Sequence, residues 1–176
     1  KTHDENITLS STKPTRNGYT FRGWATSASA TKATYQPGAT YATNSNLTLY
    51  AVWTQVITFS NGTTLNSDNT MHGSGSSYSF DDSTSANIAK GATITYTYEA
   101  KAHYGGVVMK INDEEQIYIS GMGQSDKGTK TYKTTADGLY NFKISGGFST
   151  MNGANVKLLV TITKIVDANG YELEFK

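Results

Sequence analysis

Apolar and polar residues alternate through most of the chain after residue 54, and this period-two pattern predicts β-strands that bury one face. The longest alternation puts four apolar residues on one face: Val156, Leu158, Val160 and Ile162. A strand with such a face belongs in the middle of a core. Other strand segments lie at residues 94–98, 107–111, 116–119 and 139–144.

Residue pairs that favour tight turns separate these segments, so neighbouring strands are expected to be antiparallel. No helix of any length is needed to account for the pattern. We therefore predict an all-β fold, with residues 54–176 forming a jelly-roll-like β-sandwich of two antiparallel sheets over one core. The turn pairs are Asn61-Gly62, Asn112-Asp113, Asp137-Gly138, Gly146-Gly147, Asn152-Gly153 and Asn169-Gly170.

The beginning of the chain also predicts strands. Asn17-Gly18 is a turn signal, Tyr19-Thr20-Phe21 alternates as a strand, and residues 47–53 alternate as another. Large aromatic side chains supply the apolar area that a small unit needs. We assign five of them to its core: Tyr19, Phe21, Trp24, Tyr50 and Trp53.

The two tryptophans, Trp24 and Trp53, both precede residue 54. This difference in composition indicates that two kinds of module meet near that point. We therefore expect one domain at residues 1–53 and a second at residues 54–176.

Three motifs in the first part occur in a fixed order. Residues 13–24 read KPTRNGYTFRGW, residues 35–38 read YQPG, and residues 46–53 read NLTLYAVW. Together they resemble the Listeria-Bacteroides repeat, also called the internalin-type B-repeat. The resemblance implies a small β-grasp-like module from tandem arrays on secreted and wall-attached bacterial proteins, including those of Gram-positive cells.

The chain departs from this repeat at its start. Members of the family usually open with a strand and an Asn-Gly-Gly turn before the segment that corresponds to Ile7-Thr8-Leu9, and that opening is absent. We therefore expect the repeat to lack its first strand, and any export signal or anchor to lie outside this sequence.

Composition and charge exclude some classes of binding partner. Tyrosine, threonine and glycine are abundant, only 16% of residues are charged, and the formal net charge is +1. So small a charge gives no long-range field for nucleic acid, and no segment approaches the roughly 20 apolar residues of a membrane-spanning helix. We expect an extracellular protein, secreted or attached to the cell wall.

Catalytic and metal-binding motifs are scarce. The three histidines have no metal-ligand spacing, and no nucleophile motif or pair of catalytic carboxylates is recognisable. We therefore predict that the chain is not an enzyme and binds no cofactor. It could serve as an accessory part of a larger secreted glycoside hydrolase or scaffold. A structural calcium ion is an alternative at Asp81 and Asp82, because calcium prefers carboxylate and carbonyl oxygens.

The tyrosines suggest a binding function, since there are more of them than one small core can absorb with every hydroxyl paired. An exposed ring can stack on a sugar. Four residues lie beside glycine-rich segments and are our glycan-binding candidates: Tyr104, His103, Tyr78 and Phe148. The strand pattern of this part is similar to bacterial carbohydrate-binding modules.

Two functions therefore remain open. One is a module pair whose β-sandwich binds a polysaccharide or glycan, with Tyr104 as the principal stacking ring. The other is a structural spacer or adhesin stalk segment that contacts only neighbouring modules of the same polypeptide.

Overall fold

A computed structural model describes residues 4–67, 77–148 and 154–176. Within these ranges the chain forms twelve β-strands and no helix, which confirms the predicted all-β class. The described residues accordingly contain no helix long and apolar enough to span a bilayer. The chain divides into two compact units, Lys1–Val56 and Ile57–Lys176.

The strands of the first unit are β1 (Ile7–Thr8), β2 (Tyr19–Ala25), β3 (Thr40–Tyr41) and β4 (Tyr50–Gln55). They form two antiparallel ribbons, one of β1 with β3 and the other of β2 with β4. The Asn17-Gly18 pair forms the predicted turn, with Gly18 at φ +74°, and β2 starts directly after it.

Three of the five predicted core aromatics pack together in this unit. The Phe21 ring meets the rings of Trp24 and Trp53 edge to face, at centroid distances of 5.0 and 5.4 Å. The prediction was wrong for Tyr19 and Tyr50, which remain 37% and 41% exposed because they lie at the ends of the β2–β4 ribbon. Buried positions are instead supplied by Ala25, Tyr41, Val52 and Thr54.

The second unit is an antiparallel sandwich of two four-stranded sheets. Its strands are β5 (Thr64–Asn66), β6 (Tyr78–Ile88), β7 (Thr93–His103), β8 (Gly105–Ile111), β9 (Glu114–Gly121), β10 (Gln124–Lys133), β11 (Gly138–Phe148) and β12 (Asn155–Val166). The first sheet has the order β5-β12-β7-β10, and the second has the order β6-β11-β8-β9. This interleaving of early and late strands is the jelly-roll arrangement, as predicted.

Turn chemistry explains most of the connections. Asn112 and Asp113 both have positive φ, at 48° and 66°, and turn the chain from β8 into β9. Gly146-Gly147 was wrongly predicted as a turn, because both glycines lie inside β11. The predicted turn Asn152-Gly153 lies outside the described residues.

The core lies between the two sheets and follows the alternation along the strands. The face predicted for β12, from Val156 to Ile162, is no more than 3% exposed, and β12 pairs with β7 on one side and β5 on the other. From the second sheet, Phe142 and Ile144 on β11 are fully buried. Burying one such side chain is worth about 1.5–3 kcal/mol, so the core supplies most of the stability of the fold.

Two glycines face the core where large rings approach the backbone. Gly105 on β8 lies opposite Phe148, and Gly146 on β11 lies opposite Phe80. A β-carbon placed on Gly146 would lie 2.6 Å from the Gly106 carbonyl oxygen and 2.8 Å from the Phe80 ring. Both positions exclude a side chain because a backbone carbonyl oxygen and an aromatic residue of the neighbouring strands already occupy that space.

Replacing Gly146 by alanine should therefore lower the free energy of unfolding by about 2 kcal/mol, the usual cost of overpacking a core. Gly128 is a matched control, since a β-carbon there would lie 3.4 Å from the Tyr98 ring, an ordinary contact. Urea unfolding of Gly146→Ala and Gly128→Ala measures the difference. Equal stabilities would contradict the close approach at Gly146.

One buried polar group stands out in the core. Tyr96 on β7 is 0% exposed, and among the described residues its hydroxyl has no hydrogen-bond partner. Burial, with a smaller effect of the neighbouring Tyr98, raises the pKa of Tyr96 from 10.0 to about 12. Tyr140 contrasts with it, because its buried hydroxyl donates to the Ala136 carbonyl oxygen at 2.9 Å and accepts from two backbone N–H groups.

Removing the two hydroxyl groups should have opposite effects at neutral pH. Tyr96→Phe should raise the free energy of unfolding by about 1 kcal/mol, since it removes an unpaired buried group. Tyr140→Phe should lower it by about 1–3 kcal/mol, because it leaves backbone N–H groups unpaired. Urea unfolding of both variants tests this, and a loss of stability in Tyr96→Phe would show that its hydroxyl is satisfied.

The advantage of Tyr96→Phe should also grow with pH. The unfolded chain releases this proton around pH 10.0, whereas the folded chain keeps it to about 12. The contribution of neutral Tyr96 to stability is therefore complete below pH 10.0 and is lost as the pH rises through 12. The phenylalanine variant has no such loss, which repeated unfolding across this range would measure.

Candidate functional site

The four predicted glycan-binding residues lie at one end of the sandwich. Tyr78 begins β6 and pairs with Phe148 at the end of β11, and their rings stack with centroids 5.4 Å apart. His103 ends β7, and its ring contacts that of the next residue, Tyr104, at 4.4 Å. Gly105 links the two pairs, since it follows Tyr104 and lies opposite Phe148.

Burial shows how these rings are used. Phe148 is only 7% exposed and belongs to the core, so it offers no ring face to a sugar. Tyr78 and Tyr104 are half-buried against the same core, and Phe148 covers one face of Tyr78. Tyr104 has φ +54°, and its N–H donates to the Gly121 carbonyl oxygen at 2.9 Å. The burial of Phe148 leaves it no exposed ring face, and the glycan-binding role of Tyr104, His103, Tyr78 and Phe148 stays a prediction.

The two aspartates proposed for calcium point to opposite faces of β6. Asp82 accepts hydrogen bonds from the backbone N–H groups of Asn66 and Ser83, at 3.0 and 2.8 Å. Asp81 lies 3.9 Å from the Lys143 ammonium on the outer face. Across residues 4–67, 77–148 and 154–176, no three side chains of the metal-ligating kind come together. A calcium ion there stays a prediction, without a third carboxylate to support it.

A different surface lies on the outer face of the second sheet. One row, at the end of the sheet, runs across the strands from Ser79 through Gly147 and Gly106 to Ser120, which are consecutive register partners. A β-carbon on Gly147 would lie 3.5 Å from that of Ser79, and one on Gly106 would lie 3.2 Å from that of Ser120. All four positions therefore share the outer face, and no side chain larger than serine stands on them.

The adjacent row borders this strip with larger groups. It runs from Asp81 through Ser145 and Val108 to Tyr118, again in register. Tyr118 lies on the edge strand β9 and is 60% exposed. We call these two rows, Ser79, Asp81, Gly106, Val108, Tyr118, Ser120, Ser145 and Gly147, the serine–glycine face.

The geometry of this face is a shallow trough across the strands. Four adjacent strands span about 14 Å, with the Tyr118 ring at one end and the Asp81–Lys143 ion pair at the other. Beyond Tyr118 an open groove of about 320 Å³ continues past Gln124 and Ser125. An exposed aromatic ring, hydroxyl groups and a carboxylate–ammonium pair thus follow one another along the trough, which suits an extended ligand that has both hydroxyl groups and an apolar face.

Tyr118 is not among the sequence-predicted site residues, because it lies in a regular strand and not beside a glycine-rich loop. A usable signal existed in the alternation, since Ile117 is buried and Ile119 is half-buried, which puts Tyr118 on the opposite face. The alternation does not predict which strands lie beside Tyr118.

Comparison with known proteins identifies only the first part of the chain. Residues 1–52 match the family model of the Listeria-Bacteroides repeat domain, which confirms the resemblance found in the sequence. This domain is typical of extracellular or surface proteins of bacteria. No curated protein matches the chain significantly.

One solved structure is similar over much of the chain. It is a β-glucosidase from Kluyveromyces marxianus in complex with glucose, 14% identical, with a TM-score of 0.32. The similarity covers 92% of this chain and only 18% of the enzyme, so the chain spans less than a fifth of its length. A likeness of this degree assigns no activity.

Truncating a core ring and an exposed ring should separate the two kinds of aromatic residue. Phe148→Ala should cost about 3–5 kcal/mol of folding free energy, because it leaves a cavity between the sheets. Tyr118→Ala should change it by less than about 1 kcal/mol, since the ring is mostly in solvent. Denaturant unfolding of the two variants tests this, and a large loss in Tyr118→Ala would exclude it as a free ligand-binding ring.

Proposed function

We propose that this chain is a non-catalytic module pair of a bacterial extracellular protein and that its β-sandwich binds a polysaccharide through the serine–glycine face. The observation that carries the proposal is Tyr118, a 60% exposed ring beside a strip of glycine and serine. A sugar ring can stack on Tyr118 while its hydroxyl groups reach the polar side chains around it. The absence of bulky side chains in the strip gives the neighbouring sugars room to lie close to the sheet.

The order of the groups suggests how a chain would lie. Tyr118 would hold one sugar at the β9 edge, and the chain would cross Gly106 and Gly147 toward β6. There Asp81 and Lys143 offer charged hydrogen-bonding groups to a further sugar. A trough of about 14 Å accommodates roughly three sugar units. Such a module would serve as an accessory part of a larger secreted glycoside hydrolase or scaffold.

The alternative is a structural spacer or adhesin stalk. The Listeria-Bacteroides repeat domain at residues 1–52 favours it, since the resemblance implies modules arranged in tandem. In that case the sandwich would contact only neighbouring modules, and the exposed Tyr118 would be part of such a contact. The two functions differ in whether the chain binds free polysaccharide.

Affinity electrophoresis of the full chain against plant, host and bacterial polysaccharides tests the proposal. We expect one neutral polymer to retard the parent chain, and Tyr118→Ala to lose about tenfold or more in affinity. Tyr50→Ala is the matched control, because Tyr50 is also an exposed tyrosine but lies in the first unit. Its retardation should equal that of the parent.

Two results would contradict the proposal. Absence of retardation by every polymer would favour the spacer. Equal losses in Tyr118→Ala and Tyr50→Ala would show that the binding does not depend on the serine–glycine face.

A further inference from the structure

The outer face of the first sheet has a different chemistry. Lys101 on β7 is paired in register with Lys157 on β12, and Lys127 on β10 is paired with Glu99 on β7. Next to these charges, a row of threonines crosses all four strands. The threonines in register are Thr129, Thr97, Thr161 and Thr64. We call the three lysines with Thr97, Thr129 and Thr161 the lysine–threonine face.

Positive charge is in excess on this face. Glu99 lies 2.6 Å from the Lys157 ammonium, so one of the three lysines is paired. The hydrogen bond and charge of Lys157 lower the pKa of Glu99, with a further effect of Lys127, so Glu99 balances one lysine at neutral pH. Asp126 on the edge strand β10 also lines one groove of the face, and its carboxylate accepts a hydrogen bond from the Tyr98 hydroxyl at 2.7 Å. Three lysines therefore lie beside two carboxylates.

The opposite face of the sandwich is balanced by comparison. Lys143 lies beside Asp81, and Lys110 is paired in register with Glu115. The two faces therefore differ in net charge, although the net charge of the whole chain is small. A charge excess confined to one face can concentrate anions there even when the protein as a whole is nearly neutral.

The lysine–threonine face also has room for a chain-like ligand. Two open grooves of about 490 and 470 Å³ lie along it and share Glu99 and Lys127 as lining residues. Leu159 and three threonines line the first groove, while Lys101 and Ser125 line the second. Together they form one path over β10, β7 and β12, with hydroxyl groups at one end and ammonium groups at the other.

We infer that the lysine–threonine face binds an anionic polysaccharide, independently of the serine–glycine face. The ammonium groups of Lys101, Lys127 and Lys157 would pair with acid groups carried by successive sugars. The threonine hydroxyl groups would bind the sugar hydroxyls, and Leu159 offers a small apolar contact. Charge complementarity selects the acidic polymer, and the hydroxyl row selects a polymer of sugars over other polyanions.

The test uses the full chain and polygalacturonate as the probe. Binding is measured by titration at about 50 mM and about 200 mM NaCl, with double-stranded DNA as a polyanion that lacks sugar acids. The double variant Lys101→Gln/Lys127→Gln should bind polygalacturonate about tenfold more weakly. Lys13→Gln/Lys32→Gln is the matched control, since it removes the same charge from exposed positions of the first unit, and its affinity should stay within about twofold of the parent.

Misfolding could also weaken binding in the lysine variants, so the test includes a variant that should gain affinity. Glu99→Gln removes the carboxylate that both grooves share and releases Lys157 from its ion pair. It should bind polygalacturonate several-fold more tightly, a result that loss of structure cannot produce. Tyr118→Ala should leave this binding unchanged, which separates the inference from the function proposed for the serine–glycine face.

Several outcomes would overturn the inference. These are no binding of polygalacturonate at about 50 mM NaCl, equal losses in the two double variants, and weaker binding by Glu99→Gln. DNA bound as tightly as polygalacturonate would show a site for polyanions in general. Loss of polygalacturonate binding in Tyr118→Ala would assign the ligand to the other face.

Discussion

The burial of apolar side chains between the two sheets is the interaction on which the second unit depends. Side chains alternate along a strand, so placing Leu158 and Phe142 inward decides the direction of every other residue on β12 and β11. A slip of one residue would expose the core and bury polar groups. The composition of both outer faces is therefore a consequence of the register that the core imposes.

Irregular pairing adjusts this register locally. Between Met109 and Lys110 the partner on β9 shifts, so that Met109 lies opposite Ile117 while Lys110 lies opposite Glu115. The shift leaves Gln116 as the extra residue of a bulge and keeps Ile117 in the core. As a result Tyr118 points outward, and a lysine and a glutamate of opposite charge face each other beside it.

The end of the sandwich near Tyr104 illustrates how aromatic residues and glycines depend on each other. In the sequence, glycine-rich segments beside tyrosines favour binding loops. In the folded chain Gly105 and Gly146 lie within strands, where they leave space for Phe148 and Phe80. The same residue types therefore indicate close packing here, because a ring and a backbone can approach only where no β-carbon intervenes.

The two outer faces can act separately. Packed sheets lie about 10 Å apart, a distance comparable to the Debye length at physiological salt, so charges on one face are weakly felt on the other. One face combines balanced charges with an exposed ring, and the other combines an excess of lysine with a row of threonines. A sandwich with two such faces can contact two kinds of ligand without a change of conformation.

The sequence alone determined the features that depend on neighbouring residues. Alternation predicted the strands and the buried face of β12, turn pairs such as Asn112-Asp113 predicted their ends, and ordered motifs identified the repeat at the start of the chain. Tertiary structure alone decided which rings are exposed and which charges meet. Lys101, Lys127 and Lys157 lie far apart in sequence, as do Gly106 and Gly147, and they become neighbours only when strands pair. Local patterns carry no information about that pairing, because it results from the burial of the whole core at once.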